Sequence, residues 1–379
     1  MIRIQHWAGN FILILALGIV CAGCSKDDPV PSVQFDSLEE EINYIAEKYV
    51  KVGAVVGIIN KDHEKQIFSF GKKSLNDTLP PDANSIFDIG SITKTFTTTL
   101  YADMKVKGLI PNDKAAYYLP MGEVSLPTYE GTEITLTHLA THTSGLPRTP
   151  HTDNSDYPPP VGYDVSNPYA AYTTELVYDY FTNYCTLLFE PGTWWEYSNT
   201  ATGLLGHILG LIDGTSYESI LTRQVFNILA MDHSSLFITD EQKEYLAPGY
   251  NQQYTEVPYF VANDIFQACG MIKSSMNDMF KYLEANMGIV ETPLNDAMGL
   301  AHQTVMHQGS MGDQGLAWFI LELDDGQKII YTGGDTHGHS AYLGFNKENK
   351  TGAIILLNHA AHGSQLNMGP EILKAIIKY

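Results

Sequence analysis

Short β-like runs lie near both ends of the chain and helical spacing fills its middle, and this placement restricts the fold more than any other feature. The N-terminal runs are residues 54–59 and 66–70. The C-terminal runs are 315–323, 327–331, 340–345 and 353–357, with turn signals at Asp325-Gly326 and over 346–350. Between them, apolar spacing predicts helices over 91–107, stopping at Gly108, and over 135–142, 199–212, 217–229 and 274–287. A helix at 38–49 follows the candidate cap Ser37, and another spans 371–377. The economical architecture is α/β (α+β): an antiparallel sheet flanked by helices, built from both chain ends, with an inserted mostly helical domain. The α/β part is then 37–90 and 262–379, and the helical part 91–261. Gly203, Gly206 and Gly210 share one side of the 199–212 helix, which predicts close approach of another backbone. The Pro-rich stretch 147–168 reads as a long surface loop. At 379 residues and 44 % apolar content, the chain supports a sizeable core.

The first 24 residues have the layout of an export signal: Arg3, an apolar run over 11–20, then Cys21-Ala22-Gly23-Cys24. Ala-Gly-Cys resembles the end of a bacterial lipobox, which implies a lipid on Cys24. This expectation makes the protein a periplasmic or cell-surface lipoprotein with a lipid anchor to the membrane. Residues 25–36 have the composition of a tether. Cys185 and Cys269 remain, either as a disulfide or as two buried thiols. A formal charge of −21 argues against nucleic acid as a partner, because non-specific binding there needs clustered Lys and Arg.

Chemistry concentrates in three stretches. Ser91-Ile92-Thr93-Lys94 pairs a hydroxyl with an ammonium three residues on, on one face of a helix start where the dipole favours developing negative charge. The same spacing in Ser69-Phe70-Gly71-Lys72 ends a strand and enters a turn, so its side chains do not share a helical face. Tyr197-Ser198-Asn199 precedes a helix; a tyrosine near a lysine can accept a proton, and an amide can orient a carbonyl. A capping role for Ser198 or Asn199 is equally physical. Finally, residues 331–340 join two strands through Gly333 and Gly334, where a strand-edge N–H can complete an oxyanion hole with the N–H of Ser91.

Together these stretches resemble the serine β-lactamase and penicillin-binding-protein superfamily, in its branch of class C β-lactamases, DD-peptidases and β-lactamase-like esterases. The resemblance includes His138-Leu139-Ala140-Thr141-His142-Thr143-Ser144-Gly145-Leu146-Pro147 and the Leu204-Leu205-Gly206 helix. It implies Ser91 as acylated nucleophile, Lys94 as its proton acceptor or relay, and Tyr197 as partner base. Asn199 is implied as a ligand of the substrate carbonyl and of the lysine, and the histidine stretch as structural. Thr332, Gly333, Gly334 and Asp335 fall in the third, substrate-binding motif, read either as Thr332-Gly333-Gly334 or as Tyr331-Thr332-Gly333. Neither register supplies the family's usual cation, and His337 or His339 stands nearby as a substitute. The implied function is an exported serine hydrolase acting through an acyl-enzyme on D-amino-acid peptides, β-lactams or esters, with no cofactor. Its partner is a small-molecule or peptide substrate, peptidoglycan-derived fragments included. The alternative is a weak or inactive binding protein for cell-wall peptides on the same fold. His138 and His142 lack the His-Glu-x-x-His pattern, so no metal is expected; there is no Gly-x-Ser-x-Gly elbow and no Walker loop.

Overall fold

The computed structural model describes residues 34–151, 157–165, 167–307, 312–323 and 326–379. The signal, Cys24 and most of the tether lie outside the described residues, as does Asp325 of the expected Asp-Gly turn. In chain order the elements are α1 (Leu38–Tyr49), β1 (Gly53–Ile59), β2 (Lys65–Gly71), β3 (Ile86–Asp88), α2 (Thr93–Val106), α3 (Leu136–Ala140), α4 (Thr174–Asn183), α5 (Asn199–Asp213) and α6 (Tyr217–Leu221). They continue with β4 (Gly249–Tyr250), β5 (Glu256–Val257), β6 (Lys273–Ser275), α7 (Met276–Met287), α8 (Asn295–Ala301), β7 (Met306–His307), β8 (Asp313–Gln314), β9 (Phe319–Glu322), β10 (Lys328–Asp335), β11 (Ser340–Asn346), β12 (Thr351–Leu357) and α9 (Gln365–Lys378).

The main sheet has the order β2-β1-β12-β11-β10-β9-β8-β7, antiparallel throughout. Strand β1 from the N-terminal end pairs with β12 from the C-terminal end, Val55 opposite Leu356, so the two ends of the chain meet inside one sheet. Both strands are buried along their whole length because alternate residues feed different cores. Ala54, Val56, Ile58, Ile355 and Leu357 face α1 and α9, whereas Val55, Ile354 and Leu356 belong to the larger core on the other side of the sheet, where α7 lies against β1 and β12. Ile42 and Ile45 of α1 are buried, each contributing about 1.5–3 kcal/mol. Strands β3 and β6 pair at the root of the insertion, Asp88 opposite Lys273.

The expected glycine stripe on α5 does meet another backbone: a Cβ on Gly203 would lie 2.5 Å from the Ile265 carbonyl oxygen, and one on Gly206 would collide with Ala268. Residues 264–269 form the 3₁₀ turn that fills this groove. Three boundaries depart from the periodicity. The window 217–229 is α-helical only through Leu221 and then widens, Asn227 N–H donating to Thr222 five residues back. The last helix starts at Gln365 and runs through Pro370, because Gln365 and Met368 are fully buried and packing overrides the break that proline signals. Residues 315–318 form a turn, with Ala317 at φ 57, and β9 begins only at Phe319. Helices α4 and α8 were not legible as helical windows. Cys185 and Cys269 are buried free thiols, and burial raises both pKa values, Cys185 to about 11. Among the described residues no helix is long and apolar enough to cross a membrane.

Candidate active site

Ser91 lies in the 3₁₀ turn Gly90–Ile92 that runs into α2, and Lys94 is the second residue of that helix. The spacing turns both side chains to one face, and Lys94 Nζ donates to Ser91 Oγ at 3.0 Å. Lys94 is 2 % exposed, so its ammonium needs further acceptors; the Cys269 carbonyl supplies one at 2.6 Å. Tyr197 Oη donates to Ser91 Oγ at 2.6 Å. The hydroxyl thus has two proton-exchanging neighbours, an arrangement that can remove its proton during attack on a carbonyl and return one to a leaving group. Ser69 sits in β2, at the opposite edge of the sheet from this region.

Tyr197 is held from below by residues 142–148. Ser198 N–H donates to His142 Nδ1 at 3.2 Å, Ser198 Oγ to the Pro147 carbonyl at 2.8 Å, and Asn199 N–H to the Arg148 carbonyl at 3.1 Å. Ser198 also caps α5 by accepting from Ala201 N–H. The phenol ring contacts Lys94 Nζ at 4.7 Å, the Arg148 guanidinium at 4.9 Å and the His142 ring at 4.6 Å. Two cations on the ring favour negative charge developing at its oxygen. Burial drives the His142 pKa down to about 3, and Lys94 and Arg148 push in the same direction, so the imidazole is neutral.

Strand β10 closes the other side. Thr332 and Gly333 line a cleft together with Ser91, Lys94, His142 and Tyr197. Gly334 packs directly behind Ser91: a Cβ there would come within 2.7 Å of the Ser91 nitrogen. Gly90, at φ 51, reciprocates, since a Cβ on it would lie 2.7 Å from the Asp335 nitrogen. Main-chain groups of the turn and the strand are therefore packed directly against each other beside the Ser91 nitrogen. The Asp335 carboxylate accepts from Ser340 Oγ and Gln365 Nε2, which tie it to β11 and α9. Asn199 donates from Nδ2 to Tyr169 Oη, its Oδ1 has no partner among the described residues, and it does not line the cleft.

The base of the nucleophile turn holds a buried ionic group. Asp88, 1 % exposed, lies 3.5 Å from Lys273 Nζ and 3.4 Å from His339 Nδ1, and accepts from Phe260 N–H. Burial pushes the Asp88 pKa up, but Lys273 and His339 outweigh it and hold the carboxyl below its usual range. His339 is thus committed to Asp88 and the Ala247 carbonyl, away from the cleft. His337 lies beside Val165 and His362 and does not line the cleft either.

Sequence reasoning missed four residues here. His142, read as structural, both lines the cleft and touches Tyr197; its place in the family-like histidine stretch was the available signal. Arg148 follows that stretch immediately. Gln314 and Phe319 also line the cleft, and no motif marks them.

The family model described as Beta-lactamase matches residues 36–375. A β-lactamase of Pseudomonas fluorescens is 28 % identical over 269 residues, covering 70 % of this chain and 68 % of that protein. A β-lactamase of Escherichia coli is 24 % identical over 393 aligned positions, covering 94 % and 97 %. Among solved structures, a class C β-lactamase superposes with TM-score 0.74 at 23 % identity, over 89 % of this chain and 95 % of that one. The D-alanine carboxypeptidase AmpC of Burkholderia cenocepacia gives 0.72 at 21 % identity, over 90 % and 98 %. At these identities the structural likeness establishes the fold.

The neutral buried histidines fix one pH response. His142 and His302 both have pKa values lowered by burial to about 3, against 6.5 in the unfolded chain. Between those values the unfolded chain binds protons that the folded protein does not, so stability falls as pH drops through 6.5, by about 1.4 kcal/mol per pH unit for each group. Histidine NMR is expected to find both rings neutral at pH 5, with a lower urea midpoint at pH 5 than at pH 7. A folded-state His142 titration near 6.5 would contradict this.

Proposed function

The chain belongs to the Beta-lactamase family and is a serine hydrolase with a β-lactamase/carboxypeptidase-type fold, and from that premise we propose that Ser91 forms an acyl-enzyme. The carrying observation is the pair of hydrogen bonds that Lys94 and Tyr197 make to Ser91 Oγ. Ser91 Oγ attacks the substrate carbonyl carbon while its proton passes to whichever member of the pair is deprotonated in the reacting state, the Tyr197 phenolate or the Lys94 amine. The oxyanion rests between the N–H groups of Ser91 and Gly334. As the C–O or C–N bond to the leaving group breaks, Tyr197 delivers the proton to it. Water then attacks the ester on Ser91, giving its proton back through the same pair and releasing the acid. The substrate belongs to the acyl donors of this chemistry: D-amino-acid peptides, β-lactams or esters. Thr332 and Gly333 flank it along β10. We further propose export as a lipoprotein, with Cys24 carrying the lipid and residues 25–36 as tether; the signal layout supports it.

Ser91→Ala is expected to abolish fluorophosphonate labelling, and Ser69→Ala to leave it intact. Tyr197→Phe, which keeps the ring and removes the hydroxyl, should lower turnover by about 10²- to 10⁴-fold. Labelling of Ser91→Ala at the parental rate would refute the assignment. Turnover of none of an ester, nitrocefin and a D-alanyl-D-alanine peptide, with saturable binding of one, would instead identify a binding protein. For the anchor, cells fed an alkynyl fatty acid should tag the parent protein and not Cys24→Ala. Equal tagging of both rules Cys24 out.

A further inference from the structure

Apart from Lys94, none of the described residues that line the cleft carries a charge. Phe319 lines it, with Trp195 at 6.2 Å between ring centroids on one side and Tyr331 at 5.6 Å on the other. Tyr331 is stacked in turn on Tyr342, 6.2 Å away, so the row is anchored in the sheet. The cations near Ser91 already have partners. Lys94 is bonded to Ser91 and to the Cys269 carbonyl. The Arg148 guanidinium lies against the Tyr197 ring at 4.9 Å. Lys273 is 1 % exposed and engaged with Asp88 and the Met271 carbonyl. His142 is neutral, and His339 belongs to Asp88. The segments 152–156, 308–311 and 324–325 contain no lysine or arginine.

A carboxylate brought against Phe319 would lose water and, among the described residues lining the cleft, would meet no cation but Lys94, which is already bonded to Ser91 and the Cys269 carbonyl, in a protein whose formal charge is already −21. A flat uncharged ring there gains an offset or edge-on contact with Phe319 and Trp195. We infer that the substrate group lying against Phe319 is an uncharged aryl group, so that the enzyme turns over neutral aryl esters in preference to acyl donors carrying a carboxylate beside the scissile bond. Phe319 is the residue that sets this preference, with Trp195 and Tyr331 holding its ring. The inference rests on the acyl-enzyme reading of Ser91.

The test uses the full chain with two esters differing in one group, phenyl phenylacetate and 3-carboxyphenyl phenylacetate, with fluorophosphonate labelling of Ser91 run in parallel. The expected result is a kcat/KM ratio of about tenfold or more in favour of the neutral ester. Phe319→Ala should collapse that ratio towards one, and Phe319→Tyr, which keeps the ring, should preserve it. Equal or better turnover of the carboxylated ester overturns the inference while leaving Ser91 labelled. Loss of carboxylated-ester turnover in Arg148→Ala would then identify Arg148 as the cation that binds the carboxylate. Absence of any label on Ser91 removes the acyl-enzyme reading, and this inference with it. The ester comparison on the parent protein needs no variant, so misfolding of Phe319→Ala cannot shield the claim.

Discussion

Lys94 is 2 % exposed, and an ammonium ion at that depth is tolerated only where acceptors surround it. One acceptor, Ser91 Oγ, comes from the turn just before it, and the other, the Cys269 carbonyl, from 175 residues further along. That carbonyl is in position because the 264–269 turn lies in the groove left by Gly203 and Gly206 on α5. The same helix is capped by Ser198, next to Tyr197, whose hydroxyl reaches Ser91. One helix therefore sets both the depth of the lysine and the approach of the phenol. A side chain at Gly203 would act on the site through this packing without touching it.

A second constraint joins the nucleophile to the sheet. Asp88, two residues before Gly90, is held between Lys273 of β6 and His339, the residue just before β11. Removing Asp88 or Lys273 would leave the other's charge uncompensated in a dry interior, typically a loss of about 3–5 kcal/mol. The cluster ties the helical insertion to the β10–β11 hairpin at the point where Gly90 and Gly334 pack backbone against backbone. Alignment of Ser91 with the strand edge is thus a property of the fold's ionic and steric core.

Much of this was legible in the sequence, for identifiable reasons. The antiparallel sheet drawn from both chain ends followed from where the β-like runs lie, and the register of β1 on β12 bears it out. Ser91, Lys94 and Tyr197 were marked by their motifs, and Lys94 and Tyr197 each hydrogen-bond to Ser91 Oγ. Thr332 and Gly333 reach the cleft, whereas Asp335 is held by Ser340 and Gln365 and Asn199 turns to Tyr169. Phe319 and Gln314 escaped notice because an isolated residue entering a cleft from a distant strand has no local signature. The early start of α9 was hidden by Pro370, a local signal that burial overrode.

The central claim is that Ser91 is the atom acylated. Its most direct test is intact-protein mass spectrometry of rapidly quenched mixtures with phenyl phenylacetate, penicillin and a D-alanyl peptide, followed by peptide mapping. The account predicts a phenylacetyl adduct on the peptide containing Ser91 that decays as phenylacetate appears. Product formation with the adduct on another residue, or with none trapped even in Tyr197→Phe, would contradict it.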